Sequence, residues 1–353
     1  MEKWTRHSVD PVLVTRRFEK DCLEFKKTTM SSRLYDEIPS LDLAHFTTGT
    51  AGQQKKFVED LGEAYNTIGF VAIKNHYLTD DLSEQLYEVM KKFFHLPEEV
   101  KNKYEIEGMA GQRGYIGKGK EHAKGRTTGD LKEFYHIGQE VTDGDPIKSE
   151  YPGNVWVEEL PGLKEVGLEV YRRLEQTGME MLRAIALYLG LEKNYFDGKV
   201  KNGNSILRPI HYFPIDDPDS VPADAVRAAE HGDINLITLL MGASADGLQV
   251  LRKDGKWIPI TALPEQLVVN VGDMLERLTN GKLKSTIHRV VNPPKEMMRS
   301  SRFSIPFFMH PRSEMDLSCL TNCIDENNEK QFEDITAGEF LNQRLAEIGL
   351  KKK

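Results

Sequence analysis

The chain has 353 residues, of which 39% are hydrophobic and 29% charged, and its formal net charge is −8. This composition supports a large buried core, excludes a chain that is disordered throughout, and argues against nucleic acid as a partner. No stretch approaches the ~18 consecutive apolar residues that a membrane span requires, and three cysteines are too few for a disulfide framework. We therefore expect a cytoplasmic monomer with neither a nucleic-acid nor a membrane partner.

The N-terminal third of the chain predicts a flexible extension followed by helices and edge strands. Residues 1–35 are polar, weakly patterned and without a signal peptide. Residues 38–42 have an edge-strand pattern. Apolar residues from Phe57 to Ile68 recur at helical spacing, and Gly69 ends that helix. Residues 70–73 then predict a buried strand, and residues 82–93 a second amphipathic helix.

A long segment rich in glycine and lysine covers residues 108–132. Loops of this length are usually functional or disordered, so the segment is either a solvated loop or a lid over a site. Its lysines favour an anionic or zwitterionic substrate. Aromatic and cationic residues flank it and are candidates for a substrate pocket, although ordinary core and surface positions would explain them as well: Arg113, Tyr115, Phe134 and His136.

The second half of the chain predicts an antiparallel β fold. A long helix over residues 166–188 precedes short strands, which begin near residue 205 and are separated by turn signals such as Asp254–Gly255. Strands without intervening helices indicate a jelly roll. We predict a mainly β protein with flanking helices, a double-stranded β-helix core and a helical N-terminal region. The expected segments are an extension 1–35, an N-terminal region 36–200, a jelly-roll core 201–312 and a C-terminal helical segment 313–353.

The tripeptide His231-Gly232-Asp233 is a candidate for metal binding. Residues i and i+2 of a strand point to one face, so this imidazole and carboxylate can converge on an ion. Gly232 removes bulk from between them. The pattern alone is weak, because an accidental His-x-Asp is common in a chain with ten histidines.

A second histidine, His288, lies in a strand pattern that is otherwise largely apolar or β-branched. Such a histidine is often an ordinary core residue. Together with His231 and Asp233, however, it completes two histidines and one carboxylate on separate β segments. This facial triad suits non-haem iron(II), with zinc as the chief competitor.

Arg302 and Ser304 follow and share one face of the last predicted strand. A guanidinium and a hydroxyl that point into a barrel require an anion. An organic carboxylate fits, because arginine binds it through two parallel hydrogen bonds. The alternative is an exposed pair on the outer face, but the flanking apolar residues 305–308 indicate a buried strand.

Across residues 36–312 the sequence resembles the isopenicillin N synthase-like branch of the 2-oxoglutarate/Fe(II) oxygenases. His-x-Asp, a distal histidine followed by Arg-Val, and Arg-x-Ser occur in the order of that family. Residues 247–250 (GLQV) and 68–70 (IGF) resemble two of its strands.

This resemblance implies that His231, Asp233 and His288 hold iron(II) and that Arg302 and Ser304 bind 2-oxoglutarate. Tyr212, which follows Arg208 in the family's Arg-x-x-x-Tyr context, would also bind the co-substrate and assist Arg302 and Ser304. The chain departs from the common plant Asn-Tyr-Tyr pattern by having Ile210-His211-Tyr212, which leaves the role of His211 open.

The implied reaction uses O2 and decarboxylates 2-oxoglutarate to succinate and CO2 while a small organic substrate is hydroxylated or similarly oxidised. Two other functions stay open from the sequence. One is an iron oxidase without 2-oxoglutarate, as in isopenicillin N synthase. The other is a non-catalytic β-barrel that binds a metal or a small acid.

Overall fold

The computed structural model describes residues 34–109, 112–120, 132–217, 219, 227–242, 247–261 and 263–347. These residues belong to one compact unit that begins at Leu34. The predicted extension lies outside the described residues except for its last two positions, and so does most of the predicted lid, including residues 121–131. Both interpretations therefore remain predictions.

Within the described ranges, the helices are α1 (Leu43–Thr47), α2 (Ala51–Thr67), α3 (Asp80–Phe94), α4 (Glu98–Lys101), α5 (Gly162–Tyr188), α6 (Asp197–Val200), α7 (Asp273–Leu278) and α8 (Ala337–Glu347). The strands are β1 (Ser40–Asp42), β2 (Phe70–Lys74), β3 (Gly114–Ile116), β4 (Lys132–Gly138), β5 (Ile206–Leu207), β6 (Ile210–Tyr212), β7 (Ala228–His231), β8 (Ile237–Met241), β9 (Leu248–Leu251), β10 (Trp257–Pro259), β11 (Leu267–Val271), β12 (His288–Val290), β13 (Arg302–Ser304) and β14 (Pro306–Met309). No helix of the described residues combines the length and the apolar character needed to cross a membrane.

The strands form two sheets. The larger has ten strands in the order β1-β2-β11-β8-β14-β5-β4-β6-β13, with β3 paired to β4. The smaller has four strands in the order β10-β9-β12-β7. All pairings are antiparallel except that of β1 with β2, which lies at the edge of the larger sheet. This arrangement confirms the predicted mainly β jelly roll with flanking helices.

Side-chain alternation divides the core into layers. Along β11, Leu267, Val269 and Val271 pack in the large cluster shared with the helices, whereas Val268 packs in a second cluster with residues of β9, β10 and β12. Val268 therefore lies between the two sheets. Because Asn270 follows Val268 by two positions, its side chain also points into the space between the sheets.

The structure corrects three details of the sequence interpretation. Helix α7 interrupts the β half, in which we expected no helix, and buries Met274, Leu275 and Leu278. Residues 114–116 of the predicted loop form β3. The last predicted strand is two strands, β13 and β14, which pair with different neighbours. The two strand differences depend on long-range pairing, which local periodicity does not report, whereas α7 has only six residues and is too short for a clear helical period.

Candidate functional site

Two histidines lie side by side on neighbouring strands of the smaller sheet. His231 ends β7, His288 begins β12, and the two are direct partners in the antiparallel register. Their ring centroids are 4.4 Å apart. The side chain of Asp233 joins them, so that one potential ligand atom of each residue lies within 4.8 Å of the others. Among the described residues, this is the group of histidine, cysteine and acidic side chains that could hold a metal ion.

The backbone orients both imidazole rings. Nδ1 of His231 lies 2.6 Å from the carbonyl oxygen of Ala229, and Nδ1 of His288 lies 3.2 Å from that of Thr286. A carbonyl oxygen only accepts hydrogen bonds, so Nδ1 carries the proton in both neutral rings. Each Nε2 then keeps its lone pair, and Nε2 of His288 lies 3.8 Å from Oδ1 of Asp233. This is the tautomer that a metal-binding histidine requires.

Two donors hold the carboxylate of Asp233. Its Oδ2 accepts hydrogen bonds from Oγ1 of Thr238 at 2.6 Å and from Nδ2 of Asn270 at 2.8 Å, which leaves Oδ1 towards the histidines. Desolvation alone would raise the pKa of Asp233. The charges of the two histidines and the hydrogen bonds from Asn270 and Thr238 outweigh this effect, so the pKa of Asp233 is lowered.

The pKa of His231 is lowered by desolvation and further by the charge of His288. His231 as a whole residue is exposed, which limits this desolvation. The direction of the shift favours a neutral imidazole. Neutral histidine and ionised aspartate are the protonation states that bind a metal, so the donor set fits a divalent ion such as iron(II).

The peptide at Gly232 lies against a second carboxylate. A side chain at this position would begin 2.9 Å from Oδ1 of Asp273 and 3.1 Å from Oγ of Ser285. β7 ends at His231, so Asp233 lies beyond the strand, not at an i+2 strand position as we predicted from the sequence. The two ligands converge because the chain turns past Asp273, whose backbone N–H donates to the Asp233 carbonyl at 2.7 Å. A Cβ at position 232 would therefore require the Asp273 carboxylate, which accepts from Oγ of Ser285 at 2.6 Å, to move.

The residues predicted to bind a carboxylate lie together on β6 and β13. Arg302 pairs directly with Tyr212, and the Arg302 guanidinium carbon lies 5.0 Å from the centroid of the Tyr212 ring. Ser304 is buried and shares the Arg302 side of β13. Within the described part of the chain, no hydrogen bond occupies the hydroxyl of Tyr212 or of Ser304. A guanidinium with two such hydroxyls suits a carboxylate.

A second arginine, Arg227, lies near this group and was not singled out from the sequence. It donates from Nη2 to the carbonyl oxygen of Ser300 at 3.3 Å. Desolvation lowers the pKa of Arg227, and the charge of Arg302 lowers it further. Its position just before β7 gives no periodic signal that sequence reasoning could have used.

The four candidate pocket residues separate onto two faces. Phe134 packs with Ile116, Ile210 and Tyr212, and is therefore on the side of the larger sheet that carries Tyr212. His136 follows Phe134 by two strand positions and shares that side. We call this side the site face.

Tyr115 and Arg113 lie elsewhere. Tyr115 is the direct partner of Tyr135 on the opposite face and donates to Oε2 of Glu133 at 2.6 Å. Arg113 is almost fully buried, packs against Gly138, and donates from Nη2 to Gln139 at 2.8 Å. The structure therefore brings only Phe134 and His136 of the four to the site face.

A cationic and aromatic cluster also lies on the site face. The Arg208 guanidinium carbon lies 4.5 Å from the ring centroid of Phe134 and 5.1 Å from that of Phe308. Nε of Arg208 donates to Nε2 of His136 at 2.5 Å. This hydrogen bond requires that His136 be neutral with its proton on Nδ1. The cluster combines flat apolar surfaces with a fixed cation.

His310, which follows β14 directly, is a buried histidine outside the metal-binding group. Its ring is buried, and Nδ1 has no hydrogen-bond partner within the described residues. Burial lowers the pKa of His310 to about 4, opposed by the charge of Asp233 and reinforced by that of Arg208. The sequence analysis missed four residues here: His310, Phe308, Thr238 and Asn270. Thr238 and Asn270 are each the one polar residue of an otherwise apolar strand, and that pattern could have identified them.

Comparison with known protein families matches most of the chain. Residues 38–159 match the N-terminal region of non-haem dioxygenases, a family described from morphine synthesis, and residues 203–311 match the 2OG-Fe(II) oxygenase superfamily. A curated relative, the proline hydroxylase buaE of Petromyces alliaceus, is 32% identical over 322 residues, which cover 88% of this chain and 98% of the relative.

Solved structures show the same similarity. A 2OG-Fe(II) oxygenase family protein from Caulobacter crescentus is 43% identical, with a TM-score of 0.78 and coverage of 88% of this chain and 99% of that one. A Neurospora crassa protein solved with α-ketoglutarate (2-oxoglutarate) and thymine is 33% identical, with a TM-score of 0.77 and coverage of 88% and 96%.

Proposed function

The chain belongs to the 2OG-Fe(II) oxygenase superfamily, and from this membership we propose a role for each residue of the site and a class of substrate. The protein is an enzyme that uses Fe(II) and 2-oxoglutarate and oxidises a small organic molecule. Bound iron supplies the redox chemistry that couples decarboxylation of 2-oxoglutarate to this oxidation. The residues described above bind, orient and enclose the reactants.

His231, Asp233 and His288 are the proposed iron ligands. The observation that carries this proposal is the convergence of their ligand atoms within 4.8 Å, with both Nδ1 atoms already occupied by backbone carbonyls. Two histidines and one carboxylate leave positions open for a chelating co-substrate and O2. Thr238 and Asn270 orient the carboxylate of Asp233 and are the proposed supporting residues.

Replacing Thr238 by valine is expected to weaken iron binding by roughly tenfold to a hundredfold, the usual cost of losing an outer hydrogen-bond partner. Valine has a similar shape but cannot donate to Oδ2 of Asp233. Competition with a chelator under anaerobic conditions measures the affinity. The matched control is Thr238→Ser, which keeps the hydroxyl and should remain within a few-fold of wild type. Equal iron affinity in the valine variant would contradict this role for Thr238.

Arg302, Ser304 and Tyr212 are the proposed binding group for the carboxylate of 2-oxoglutarate that is remote from iron. Support comes from the register that pairs Arg302 with Tyr212 and from the two hydroxyls that have no partner in the described structure. An arginine gives directional, charge-assisted hydrogen bonds to such a group. The strand pairing holds these donors on one face.

The proposed primary substrate is a small anionic or zwitterionic molecule, or a planar molecule with acceptor oxygens, bound beside Arg208. Phe134 and Phe308 hold the Arg208 guanidinium by their ring faces, and His136 accepts from its Nε. A cation fixed between apolar rings favours a flat ligand that carries a carboxylate or carbonyl oxygen. The thymine bound to the Neurospora crassa protein and the name of the proline hydroxylase relative agree with this class.

Replacing Arg208 by methionine is expected to raise the KM for the primary substrate by roughly tenfold to a thousandfold, because a charged hydrogen bond is lost while side-chain bulk is kept. A panel of amino acids, small carboxylic acids and ring-carbonyl heterocycles, assayed by substrate-dependent succinate formation, identifies the substrate first. Arg289→Met is the matched control. The Arg289 guanidinium also lies over a ring, 3.9 Å from the centroid of Trp257. Arg289 follows His288 on β12, however, so its side chain points to the opposite face of the strand from His288. Turnover only of compounds without acceptor oxygens would contradict the proposed class.

A further inference from the structure

A buried chain of hydrogen bonds lies on the face of the larger sheet opposite Arg302 and Tyr212. Oε1 of Glu133 lies 2.7 Å from Nδ1 of His211, and Nε2 of His211 lies 2.9 Å from Oγ of Ser301. Glu133 and His211 are both buried, whereas Ser301 is exposed at the end of the chain of hydrogen bonds. The reaction described above uses none of these three residues.

The direction of these hydrogen bonds follows from their chemistry. An ionised carboxylate only accepts, so Nδ1 of His211 donates to Glu133. In the neutral ring, Nε2 then accepts from the hydroxyl of Ser301. Desolvation alone would raise the pKa of Glu133, but hydrogen bonds from His211, Lys101 and Tyr115 outweigh it and lower that pKa. The carboxylate is therefore a charged, fully engaged anchor for the chain.

Glu133 is itself held from two further elements. Lys101, at the end of α4, donates to its Oε2 at 2.7 Å, and Tyr115 of β3 donates to the same oxygen at 2.6 Å. A buried charge with this many partners is costly to displace. The anchor therefore has a fixed position relative to the sheet and the helices.

His211 contacts both neighbours of Arg302. Its ring stacks on Phe303, with centroids 4.8 Å apart and planes at 14°, and its Nε2 bonds to Ser301. Because side chains alternate along a strand, Ser301 and Phe303 point away from the face that carries Arg302. Contacts at residues 301 and 303 thus restrain the backbone from which the Arg302 side chain projects. Tyr212 follows His211 directly and is restrained in the same way.

We propose that Glu133, His211 and Ser301 are positioning residues that hold Arg302 and Tyr212 in the geometry that binds 2-oxoglutarate. This inference rests on the proposed role of Arg302 as a ligand of the co-substrate. Its physical content is preorganisation: a restrained arginine loses less freedom when it binds a carboxylate, so affinity rises without a new contact to the ligand.

The order Ser301–His211–Glu133 matches that of hydrolase triads, but a hydrolytic role does not fit. In such triads the acid stabilises the positive charge that forms on the histidine during the reaction. Here Lys101 already compensates the charge of Glu133, at a distance of 2.7 Å. The His211 ring stacks on Phe303, and Phe94 packs against it at a tilt of 33° with its centroid 5.5 Å away. These contacts indicate a fixed structural ring.

The inference is tested by measuring the dissociation constant of 2-oxoglutarate for the iron-loaded enzyme and its variants, anaerobically and by calorimetry. Ser301→Ala removes one hydrogen bond at an exposed position, and we expect it to raise this constant roughly twofold to tenfold. Iron affinity, melting temperature and kcat at saturating 2-oxoglutarate should stay close to wild type. Ser301→Thr keeps a hydroxyl and should restore most of the affinity. The matched control is Ser300→Ala, whose hydroxyl makes no hydrogen bond in the described structure.

His211→Phe provides a second variant, which keeps the stacking on Phe303 but removes both hydrogen bonds. We expect it to raise the dissociation constant at least as much as Ser301→Ala. Unchanged 2-oxoglutarate binding in Ser301→Ala would overturn the inference if Arg302→Gln does weaken that binding. An equal loss of iron affinity and 2-oxoglutarate affinity would also overturn it, because it would indicate general damage. Unchanged binding in Arg302→Gln itself would instead remove the proposed function on which the inference rests.

Discussion

Alanine in place of His231, Asp233 or His288 is expected to reduce iron-dependent turnover to background. Each residue supplies one of three converging ligand atoms, and the two that remain would leave the ion weakly held. The loss of iron affinity should exceed the roughly tenfold to hundredfold cost of removing an outer partner such as the Thr238 hydroxyl. Iron content after dialysis and succinate formation under saturating 2-oxoglutarate measure the two effects separately.

Asp233→Glu should fail as well, because one additional methylene displaces the carboxylate by far more than the ~0.2 Å that metal–ligand distances tolerate. His45→Ala is the control, since His45 is an exposed histidine on α1. It should bind iron and turn over like wild type. Retention of both iron affinity and turnover by any one alanine variant would take that residue out of the ligand set.

Arg302→Gln is expected to raise the concentration of 2-oxoglutarate needed for half-maximal succinate formation by roughly thirty-fold to several-thousand-fold. The change removes charge-assisted hydrogen bonds to the remote carboxylate and leaves that carboxylate poorly paired, at a cost of about 2–5 kcal/mol. Iron binding should barely change, because Arg302 is not among the converging ligand residues. Arg302→Lys should recover only part of the loss, since an ammonium cannot form the planar two-donor contact.

The matched control for this prediction is Arg299→Gln, which removes an exposed arginine three residues away. It should leave the 2-oxoglutarate requirement unchanged and so account for any general effect of lost positive charge. If Arg302→Gln had the same 2-oxoglutarate requirement as wild type, Arg302 would bind another anion. The carboxylate of the primary substrate would then be the first candidate.

Much of the fold could be predicted because its signals are local. The capping box of Thr50 and Gln53 starts α2, and Gly69, with φ of 73°, follows its end. The hairpin turn at Gly255, with φ of 84°, separates β9 from β10 as expected. Helix α7 escaped prediction because its six residues are too few for a clear helical period. The break at Ile305, between β13 and β14, is set by which strand each half pairs with.

The sequence by itself determined which residues are candidates for the chemistry of the site. Residue types and spacings within short segments predicted His231, Asp233, His288, Arg302 and Ser304, because each pattern can be recognised from neighbouring residues. Strand alternation, which is also local, placed Arg302 and Ser304 on one face.

Only the tertiary structure decided which residues surround that chemistry. The pairing of β6 with both β4 and β13 brings Glu133, His211 and Ser301 into one chain, although Glu133 and His211 are 78 positions apart and His211 and Ser301 are 90 apart. The register of β3 on β4 likewise separates Tyr115 from Phe134. The physical reason is that a strand's side-chain period is encoded locally, whereas its partner and register follow from burial across the whole core.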